Sequence, residues 1–470
     1  MSAEPSGGID WEAKKLRTLG ALAWPIAVSM LSSSLMSVAD TYFVGRLGAS
    51  ALAGVGMAST LTWALICFAF GLLRAVKVLV SQARGAGQLE QTREYLFAGK
   101  LLGFSIGVVL IIAVPLVEPG LRLLLESEAA SDAAADYFRV RMISIPCLLM
   151  FVATREYRYG MGDMRLPMVA GVVANILNVG LDYAFIVELE WGVEGAAWAT
   201  VAAVTVEWMI VLVPTGTSIW QGRTARWAHL RSIVSIGTPS GLQFTLEMGS
   251  FTLLAAMIAR LGDVEMAAHQ IALQVIHVAF LPVVSLGEGA SVMAGQAVGA
   301  KRDDLIVPVS RLAMRIGFIY MAGCAAILLG LGQTIAEIFA TESDLVIGVQ
   351  KLLMVAAVFL LGDSVNIVCR CVLRGLGDVR VPAVVGIVLA WGCTPPLMWW
   401  LGYLMGMGAM GGWMGLALEV FLSAGILGHR LRAGHWRRAA LESRARLEAV
   451  EEQRARDKLA VSDSTPALSS

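Results

Sequence analysis

The sequence predicts an all-α integral membrane protein, with twelve transmembrane helices in two pseudo-symmetric six-helix lobes around a central cleft. Three observations support this prediction: the composition, the length of the apolar runs, and an internal repeat. Of the 470 residues, 57% are hydrophobic and only 15% are charged, and the mean hydropathy is +0.71. Soluble domains carry about 25% charged residues. The composition therefore excludes an ordinary soluble protein.

The apolar runs are long enough to cross a bilayer, because a spanning helix needs about 20 residues. They lack the alternation of a transmembrane β-strand, and helices satisfy their own backbone hydrogen bonds in lipid. The twelve predicted spans are residues 19–45, 54–80, 99–117, 137–158, 166–187, 195–214, 233–260, 266–296, 312–332, 346–370, 381–402 and 409–429.

The chain repeats itself at an offset of about 214 residues. A shift of 214 places Pro25 on Pro239 and the segment Gln82-Ala83-x-Gly85-Ala86 on Gln296-Ala297-x-Gly299-Ala300. One residue further, Gly160-x-Gly162-Asp163 falls on Gly375-x-Gly377-Asp378. Membrane repeats of this size are typical of transporters, whose repeats surround a substrate pathway. The predicted domains are an N-terminus (1–18), an N-lobe with helices 1–6 (19–216), a linker (217–231), a C-lobe with helices 7–12 (232–432) and a tail (433–470).

Basic residues are distributed unequally between alternate loops. Nineteen Lys and Arg residues fall in one set of loops, and only Arg46, Arg122 and Arg260 fall in the other. The positive-inside rule places the larger set in the cytoplasm. We therefore expect a multi-pass protein of the cell inner membrane with a cytoplasmic N-terminus, linker and tail. The larger set is Lys14, Lys15, Arg17, Arg84, Arg93, Lys100, Arg155, Arg158, Arg165, Arg223, Arg226, Arg231, Lys301, Arg302, Arg311, Arg315, Arg370, Arg374 and Arg380.

Four polar residues inside N-lobe spans are candidates for a cation or proton site: Asp40, Asn178, Asp182 and Thr200. A charge at mid-membrane costs about 2.5–3.5 kcal/mol, so such residues need partners or a wet cavity. Asn178 and Asp182 are four residues apart and share a helix face. Their oxygens could bind Na⁺, a small hard cation, or the two carboxylates could share a proton. The alternative is that Asp182 only ends a helix near the external surface.

The C-lobe has its own candidate cation or proton site, Glu247 and Asp363. In the repeat register Glu247 aligns with Ser33, and Asp40 aligns with Leu254. Acids that serve only a shared scaffold should recur at equivalent positions. Because these do not, we expect each lobe to have its own chemistry. The alternative is a hydrogen-bonded interior acid with no role in transport.

Other charges inside the spans are less specific. Arg74 and Glu288 are repeat equivalents, and if both face the seam between the lobes they could pair as an inner gate. The alternative is that each extends independently to the interface or contacts lipid. Lys77 is expected to extend its ammonium group to the interface. Glu207 and Glu419 are interpreted as polar helix contacts or interfacial residues.

These motifs resemble the multidrug and toxic compound extrusion (MATE) transporters over about residues 18–430. The resemblance rests on Pro25, Asp40-x-x-Phe43-Val44-Gly45-x-Leu47-Gly48, the Gln-Ala-x-Gly-Ala element, Gly192-x-x-Gly195-Ala196-Ala197 and Leu373-Arg374-Gly375-x-Gly377-Asp378. It implies an antiporter that exports cationic, amphipathic drugs or metabolites in exchange for Na⁺ or H⁺. It also implies a cation site at the four N-lobe residues and an acidic pair at Glu247 and Asp363, as in the bacterial NorM-type branch. Arg74 and Lys77 depart from the family, which usually has small neutral residues there.

The expected mechanism is alternating access by rocking of the two lobes, driven by an ion gradient. The sequence shows no nucleotide-binding glycine loop and no nucleophile–base or metal-ligand constellation, so an enzyme is not expected. Besides the coupling ion we expect no cofactor and no nucleic-acid partner, and a monomer in the bilayer that binds small organic cations. The alternative function is a flippase for a lipid-linked or amphiphilic precursor, which would show more basic residues inside the cleft.

Overall fold

The computed structural model describes residues 11–125, 127–212 and 227–463, and these ranges contain fourteen α-helices and no β-strand. The first half of the chain forms α1 (Lys15–Gly45), α2 (Ala49–Gly85), α3 (Leu89–Leu123), α4 (Glu128–Ile143), α5 (Ile145–Gly160), α6 (Arg165–Asp182) and α7 (Gly192–Leu212). The second half forms α8 (Trp227–Ala259), α9 (Asp263–Gly299), α10 (Ile306–Phe339), α11 (Ser343–Gly375), α12 (Arg380–Leu397), α13 (Ala409–Ala433) and α14 (Arg437–Asp463).

Twelve membrane spans are confirmed, with one difference from the sequence prediction. Eleven helices are long and apolar enough to cross a membrane, and α4 and α5 together form a twelfth span that is bent by 49°. The bend lies at Ser144, inside the predicted span 137–158. Pro146 lies in the first turn of α5, where its missing N–H costs no hydrogen bond. The equivalent residue of the second copy is Leu361, and α11 runs through it without a break.

The internal repeat is visible in the helices themselves. α2 and α9 both contain 37 residues, and both begin after a glycine with positive φ, 109° at Gly48 and 125° at Gly262. Short π-helical segments, Tyr183–Glu188 and Met398–Leu404, follow α6 and α12 in the two halves. The pseudo-symmetric two-lobe architecture is therefore confirmed.

The central helix α2 is enclosed by protein along only one half of its length. Between residues 71 and 83 every residue is buried except Arg74, whereas between residues 49 and 65 only Gly54, Ala58 and Thr62 are buried. The corresponding part of α9, residues 285–295, is also fully buried. The two lobes therefore pack closely where α2 and α9 end, and separate where these helices begin.

Both ends of the described chain lie on the side where α2 and α9 end, which we call the terminal face. Trp11 donates a hydrogen bond from Nε1 to Gln296 Oε1 at 2.9 Å. Arg302, in the loop after α9, binds both Glu12 and Asp304, and its guanidinium holds the pKa of each carboxyl below its usual range. On the same face α14 contacts the loop after α9 through Lys301–Glu448 at 2.9 Å.

The helix α14 is longer than the short surface helix that the tail predicts. It spans 27 residues and binds both halves of the chain. Arg444 forms an ion pair with Asp303 of the second half, while Arg454 forms one with Glu90 of the first half. The tail therefore crosses the terminal face from one lobe to the other.

Two sequence predictions need correction or fall outside the structure. Many residues of the larger basic set are not loop residues, because they lie inside helices. Lys100, Arg155, Arg315 and Arg370, for instance, lie five or more residues from the nearest end of α3, α5, α10 and α11. Local hydropathy does not distinguish a loop arginine from one that is compensated inside a helix bundle. Residues 1–10 of the predicted N-terminus, 217–226 of the predicted linker and 464–470 of the tail lie outside the described residues.

Candidate functional site

Three of the four predicted N-lobe residues lie in one region, here called the N-lobe acid cluster: Asp40, which is half-buried, and Asn178 and Asp182, which are buried one turn apart on α6. The carboxyl groups of Asp40 on α1 and Asp182 on α6 lie close to each other. Asn178 is 0% exposed and Asp182 is 1% exposed. Neither polar atom of the Asn178 amide has a partner in the described structure, and the same holds for Asp40 Oδ1 and Asp182 Oδ2. Buried polar atoms are normally satisfied, so this cluster can accept an ion or a proton.

The local fold places these side chains together. Asn178 and Asp182 lie one turn apart on the last turns of α6, and the π-helical segment begins at the next residue, Tyr183. Departures of this kind from α-helical geometry occur frequently at functional sites. Asp182 does end the α-helix, but it is buried against Asp40 rather than placed at an external surface.

Thr200 does not join the N-lobe acid cluster. Its hydroxyl donates to the carbonyl of Ala196 at 3.0 Å, within α7, and among the described residues no hydrogen bond joins it to the three cluster members. A threonine in a helix commonly satisfies its hydroxyl in this way. Among the residues that the structure describes, no group of three or more His, Cys, Asp or Glu could hold a metal ion.

In the C-lobe, Glu247 on α8 is paired with an arginine that the sequence interpretation assigned to a loop. Arg370 Nη1 on α11 lies 2.9 Å from Glu247 Oε1, and Gln243 Nε2 donates to the same oxygen at 3.0 Å. A Cβ atom on Gly386 of α12 would collide with that oxygen, so the glycine makes room for the pair. Arg370 lies 215 residues after Arg155, and this repeat could have identified it.

Asp363 lies in a neutral hydrogen-bond network close to this ion pair. Asn366 donates from Nδ2 to Asp363 Oδ1 at 3.1 Å, and Ser423 donates to Asn366 Oδ1 at 2.7 Å. Asp363 and Glu247 are not hydrogen-bonded to each other within the described residues. Glu419, which the sequence did not favour, is a further acid of this region, and its carboxylate accepts a hydrogen bond from Thr394 at 2.7 Å.

A third group of charges lies at the seam between the lobes. Lys77 on α2 forms an ion pair with Glu288 on α9 and lies 3.5 Å from Glu156 on α5. Its side chain is only 2% exposed, so the prediction that it extends to the interface is wrong. Two carboxylates supply its counter-charge inside the bundle, which removes the need to reach water. Arg74 lies 4.0 Å from Glu288, and its role as a gate stays a prediction.

Arg74 is the one residue of the buried half of α2 that has an exposed surface. Its side chain is 33% exposed, and the guanidinium lies over the ring of Phe244 at 5.7 Å. The ring of Trp63 packs edge-on against both Phe244 and Phe70, at 6.0 and 5.3 Å. A positive charge and three aromatic rings therefore meet near the middle of the bundle.

The two repeated motifs of the sequence meet each other at the terminal face. A Cβ atom on Gly85 would collide with the carbonyl oxygen of Gln296, and one on Gly299 would collide with that of Gln82. Gln82 also donates from Nε2 to the carbonyl of Gly375 at 3.0 Å, across the seam. We call this crossed contact the terminal seal. Because it is made by backbone atoms at close approach, it leaves no passage between α2 and α9 at this face.

Two lobes of six spans, each with a buried polar cluster and joined at a sealed seam, define a membrane transporter. The MatE family model matches residues 25–184 and again residues 239–400. The chain belongs to this family, the MATE transporters, and its two repeats are the two copies of the family domain.

Curated relatives and solved structures agree with this assignment. The chain is 30% identical over 453 residues to the "Probable multidrug resistance protein NorM" of Pseudomonas syringae pv. tomato, covering 91% of this chain and 96% of the relative. It is 28% identical over 419 residues to the "Multidrug resistance protein NorM" of Burkholderia vietnamiensis, covering 84% and 89%. The eukaryotic MATE transporter AtDTX14 has the same fold, with a TM-score of 0.83 and 20% identity, over 93% of this chain and 99% of that one. A MOP superfamily transporter from Pyrococcus furiosus also has this fold, with a TM-score of 0.80 and 20% identity, over 93% and 97% of the two chains.

Proposed function

We propose that this protein is a secondary active antiporter that exports cationic, amphipathic drugs or metabolites in exchange for an inward flow of cations. The observation that carries the proposal is the N-lobe acid cluster, which holds buried oxygens without partners. Relatives of the chain are named multidrug resistance proteins, and this supports the substrate class.

The coupling ion that the geometry favours is the proton. Two carboxyl groups that lie close together favour a shared proton, because two adjacent negative charges would repel. Asp40 and Asp182 are such a pair, while the Thr200 hydroxyl is engaged by its own helix. A Na⁺ ion would have to separate the two carboxyl groups and use the amide oxygen of Asn178 as a further ligand.

The exchange would proceed by rocking of the two lobes. The terminal seal is closed in the structure, and the positive-inside pattern assigns this face to the cytoplasm. The described state would then be closed to the cytoplasm, with both termini cytoplasmic in the inner membrane. Protonation of the N-lobe acid cluster would favour this state, and substrate from the cytoplasm would favour the opposite one. Each ligand shifts the equilibrium only by its differential affinity for the two states.

We propose that the units that move are the lobes predicted from the sequence. Residues 19–216 would move as the N-lobe and residues 232–432 as the C-lobe, with 217–231 as the linker between them. The tail, 433–470, includes α14, whose ion pairs to Glu90 and Asp303 would have to yield as the lobes rock. The unit of transport would be the monomer.

One observation favours a second candidate function. The partly exposed Arg74 places a positive charge beside three aromatic rings, and a guanidinium binds carboxylate and phosphate groups. The second candidate is therefore a flippase for an amphiphilic precursor with an anionic head group. Arg74→Gln distinguishes the two, since it would impair movement of an anionic amphiphile and leave the export of a pure cation intact or improved.

The experiment is transport of a fluorescent organic cation by proteoliposomes that contain the purified protein. We expect exchange under an imposed pH gradient without Na⁺, and no exchange after Asp182→Asn. Asp344→Asn, an exposed acid outside the clusters, is the matched control and should transport normally.

Three results would contradict the proposal. Exchange driven only by a Na⁺ gradient would reject proton coupling and retain antiport. Transport that requires ATP would reject the whole mechanism. Full activity of Asp182→Asn would remove the N-lobe acid cluster from the coupling step.

A further inference from the structure

A groove on the C-lobe lies apart from both polar clusters and from the seam. It is a cavity of about 590 Å³ between α10, α11 and α13, near the terminal face. Its basic side is formed by Arg311 and Arg315, one turn apart on α10, and by Arg432, near the end of α13. Its apolar side is formed by Met314, Phe318, Ile319, Val365 and Leu431.

The three arginines of this groove have no carboxylate partner within the described residues. Other arginines of the same face do: Arg302 binds Glu12, Arg430 binds Asp378 at 2.5 Å, and Arg444 binds Asp303. Three uncompensated guanidinium groups around one cavity repel each other unless an anion lies between them. Phosphate suits this arrangement, because a guanidinium binds it through two parallel hydrogen bonds.

The surroundings of the arginines indicate a lipid rather than a soluble phosphate. Along α10 the basic residues come first from the terminal face, and the next turn presents Phe318 and Ile319, which are 45% and 71% exposed. Exposed apolar side chains on a spanning helix face acyl chains. The order from the helix end is therefore charge and then hydrocarbon, which is the order of a phospholipid from head group to chain.

We propose that this groove binds an anionic phospholipid of the leaflet on the terminal face. Arg311, Arg315 and Arg432 hold its phosphate, and an acyl chain lies along Phe318 and Ile319. Basic pockets between helices on the cytoplasmic side of membranes bind acidic lipids by the same physics. The site belongs to the C-lobe scaffold and does not depend on which substrate or ion is transported.

The test measures lipid binding to the purified full chain in a neutral detergent, by native mass spectrometry and by thermal unfolding. The added probes are phosphatidylglycerol, phosphatidylcholine and inorganic phosphate. We expect phosphatidylglycerol to bind more tightly than phosphatidylcholine and to raise the unfolding temperature. The triple variant R311Q/R315Q/R432Q should weaken phosphatidylglycerol binding by about tenfold or more.

A matched control removes the same charge elsewhere on the terminal face. The variant R93Q/R165Q/R438Q changes three exposed arginines outside the groove and should bind phosphatidylglycerol as the unchanged protein does. If the triple groove variant does not fold, the single variant R315Q should show a smaller loss of the same preference.

Three outcomes would overturn the proposal. The first is equal binding of phosphatidylglycerol and phosphatidylcholine by the unchanged protein. The second is equal loss of binding in the groove variant and the control variant. The third is a full thermal shift with inorganic phosphate alone, which would make the groove a site for a small anion.

Discussion

The two lobes keep the same arginine but supply its acid from different places. In the N-lobe, Arg155 lies 3.0 Å from Glu156, its neighbour in α5. In the C-lobe the equivalent arginine is Arg370, and the residue after it is Cys371, which carries no charge. Arg370 instead pairs with Glu247 from α8. The arginine is therefore the residue that the two copies share, whereas its carboxylate partner comes from a different position in each lobe.

Under the proposed function, this difference distinguishes the acids that could take up a proton or a cation from those that are already paired. Glu247 is already compensated by Arg370 at 2.9 Å, whereas Asp40 and Asp182 form no ion pair within the described residues. A carboxyl group without a fixed counter-charge gains most from taking up a proton or a cation. We therefore propose that coupling takes place in the N-lobe and that the ion pair of the C-lobe is mainly structural.

The largest expected effect is on transport, which should distinguish a variant of the N-lobe acids from a variant of the C-lobe ion pair. Asp40→Asn should reduce proton-driven exchange to background while the protein stays folded, because Asp40 forms no ion pair among the described residues. Glu247→Gln should retain measurable exchange in the same proteoliposome assay. Equal loss in both variants would show that the two lobes share the coupling step.

The second effect is on stability. Here Glu247→Gln should be affected more than Asp40→Asn, the reverse of the order expected for transport. Glu247→Gln leaves the guanidinium of Arg370 without its counter-charge and should destabilise the protein by about 2 kcal/mol. This lies below the cost for a wholly buried pair because the Glu247 side chain is 23% exposed. Thermal unfolding in detergent measures it.

A double variant controls for the ion pair itself. Replacement of both partners, as Glu247→Gln with Arg370→Met, should recover much of the lost stability, because no unpaired charge remains. A double variant that is no more stable than Glu247→Gln would contradict the assignment of Arg370 as the partner.

The sequence predicted the architecture well because period and length are properties of one stretch of chain. The twelve spans, the repeat and the closeness of Asn178 to Asp182 follow from such local patterns. Lys77 and Arg370 were misjudged because their partners lie on other helices, α9 and α8. A single sequence shows which face of a helix is polar, but it does not show which neighbour that face meets. The break at Ser144 was missed for a related reason, since Pro146 is equally compatible with a kinked helix and an interrupted one.

The third effect concerns the terminal seal, where equivalent substitutions in the two lobes should have equal effects. Gly85→Ala and Gly299→Ala each introduce a Cβ atom at the terminal seal, at a cost of about 1–2 kcal/mol to the closed state. Both should increase the labelling of a cysteine introduced at Ser81, and by the same amount. Gly56→Ala, in α2 with open space around it, is the control. Unequal labelling of the two variants would show that the seal is not symmetric.

The smallest effect is expected at Glu12 and Asp304, whose replacement should not alter the pH dependence of transport. Arg302 holds the pKa of Glu12 and Asp304 below the usual range, so both stay ionised at neutral pH, and their contact is lost only as the pH falls through these lowered values. The variant Glu12→Gln with Asp304→Asn should therefore leave the pH dependence of transport between about pH 5 and about pH 8 unaltered. An altered profile would place part of the proton sensing on the terminal face instead of in the N-lobe acid cluster.

The crossed contact of Gly85 with Gln296 and of Gly299 with Gln82 has the form of an isologous interface, in which one surface binds a second copy of itself. Duplication of a single unit therefore supplies both surfaces of the terminal seal at once, so that two unlike surfaces do not have to become complementary. It also constrains the two copies together, because a bulkier residue at either glycine would obstruct the same contact between α2 and α9.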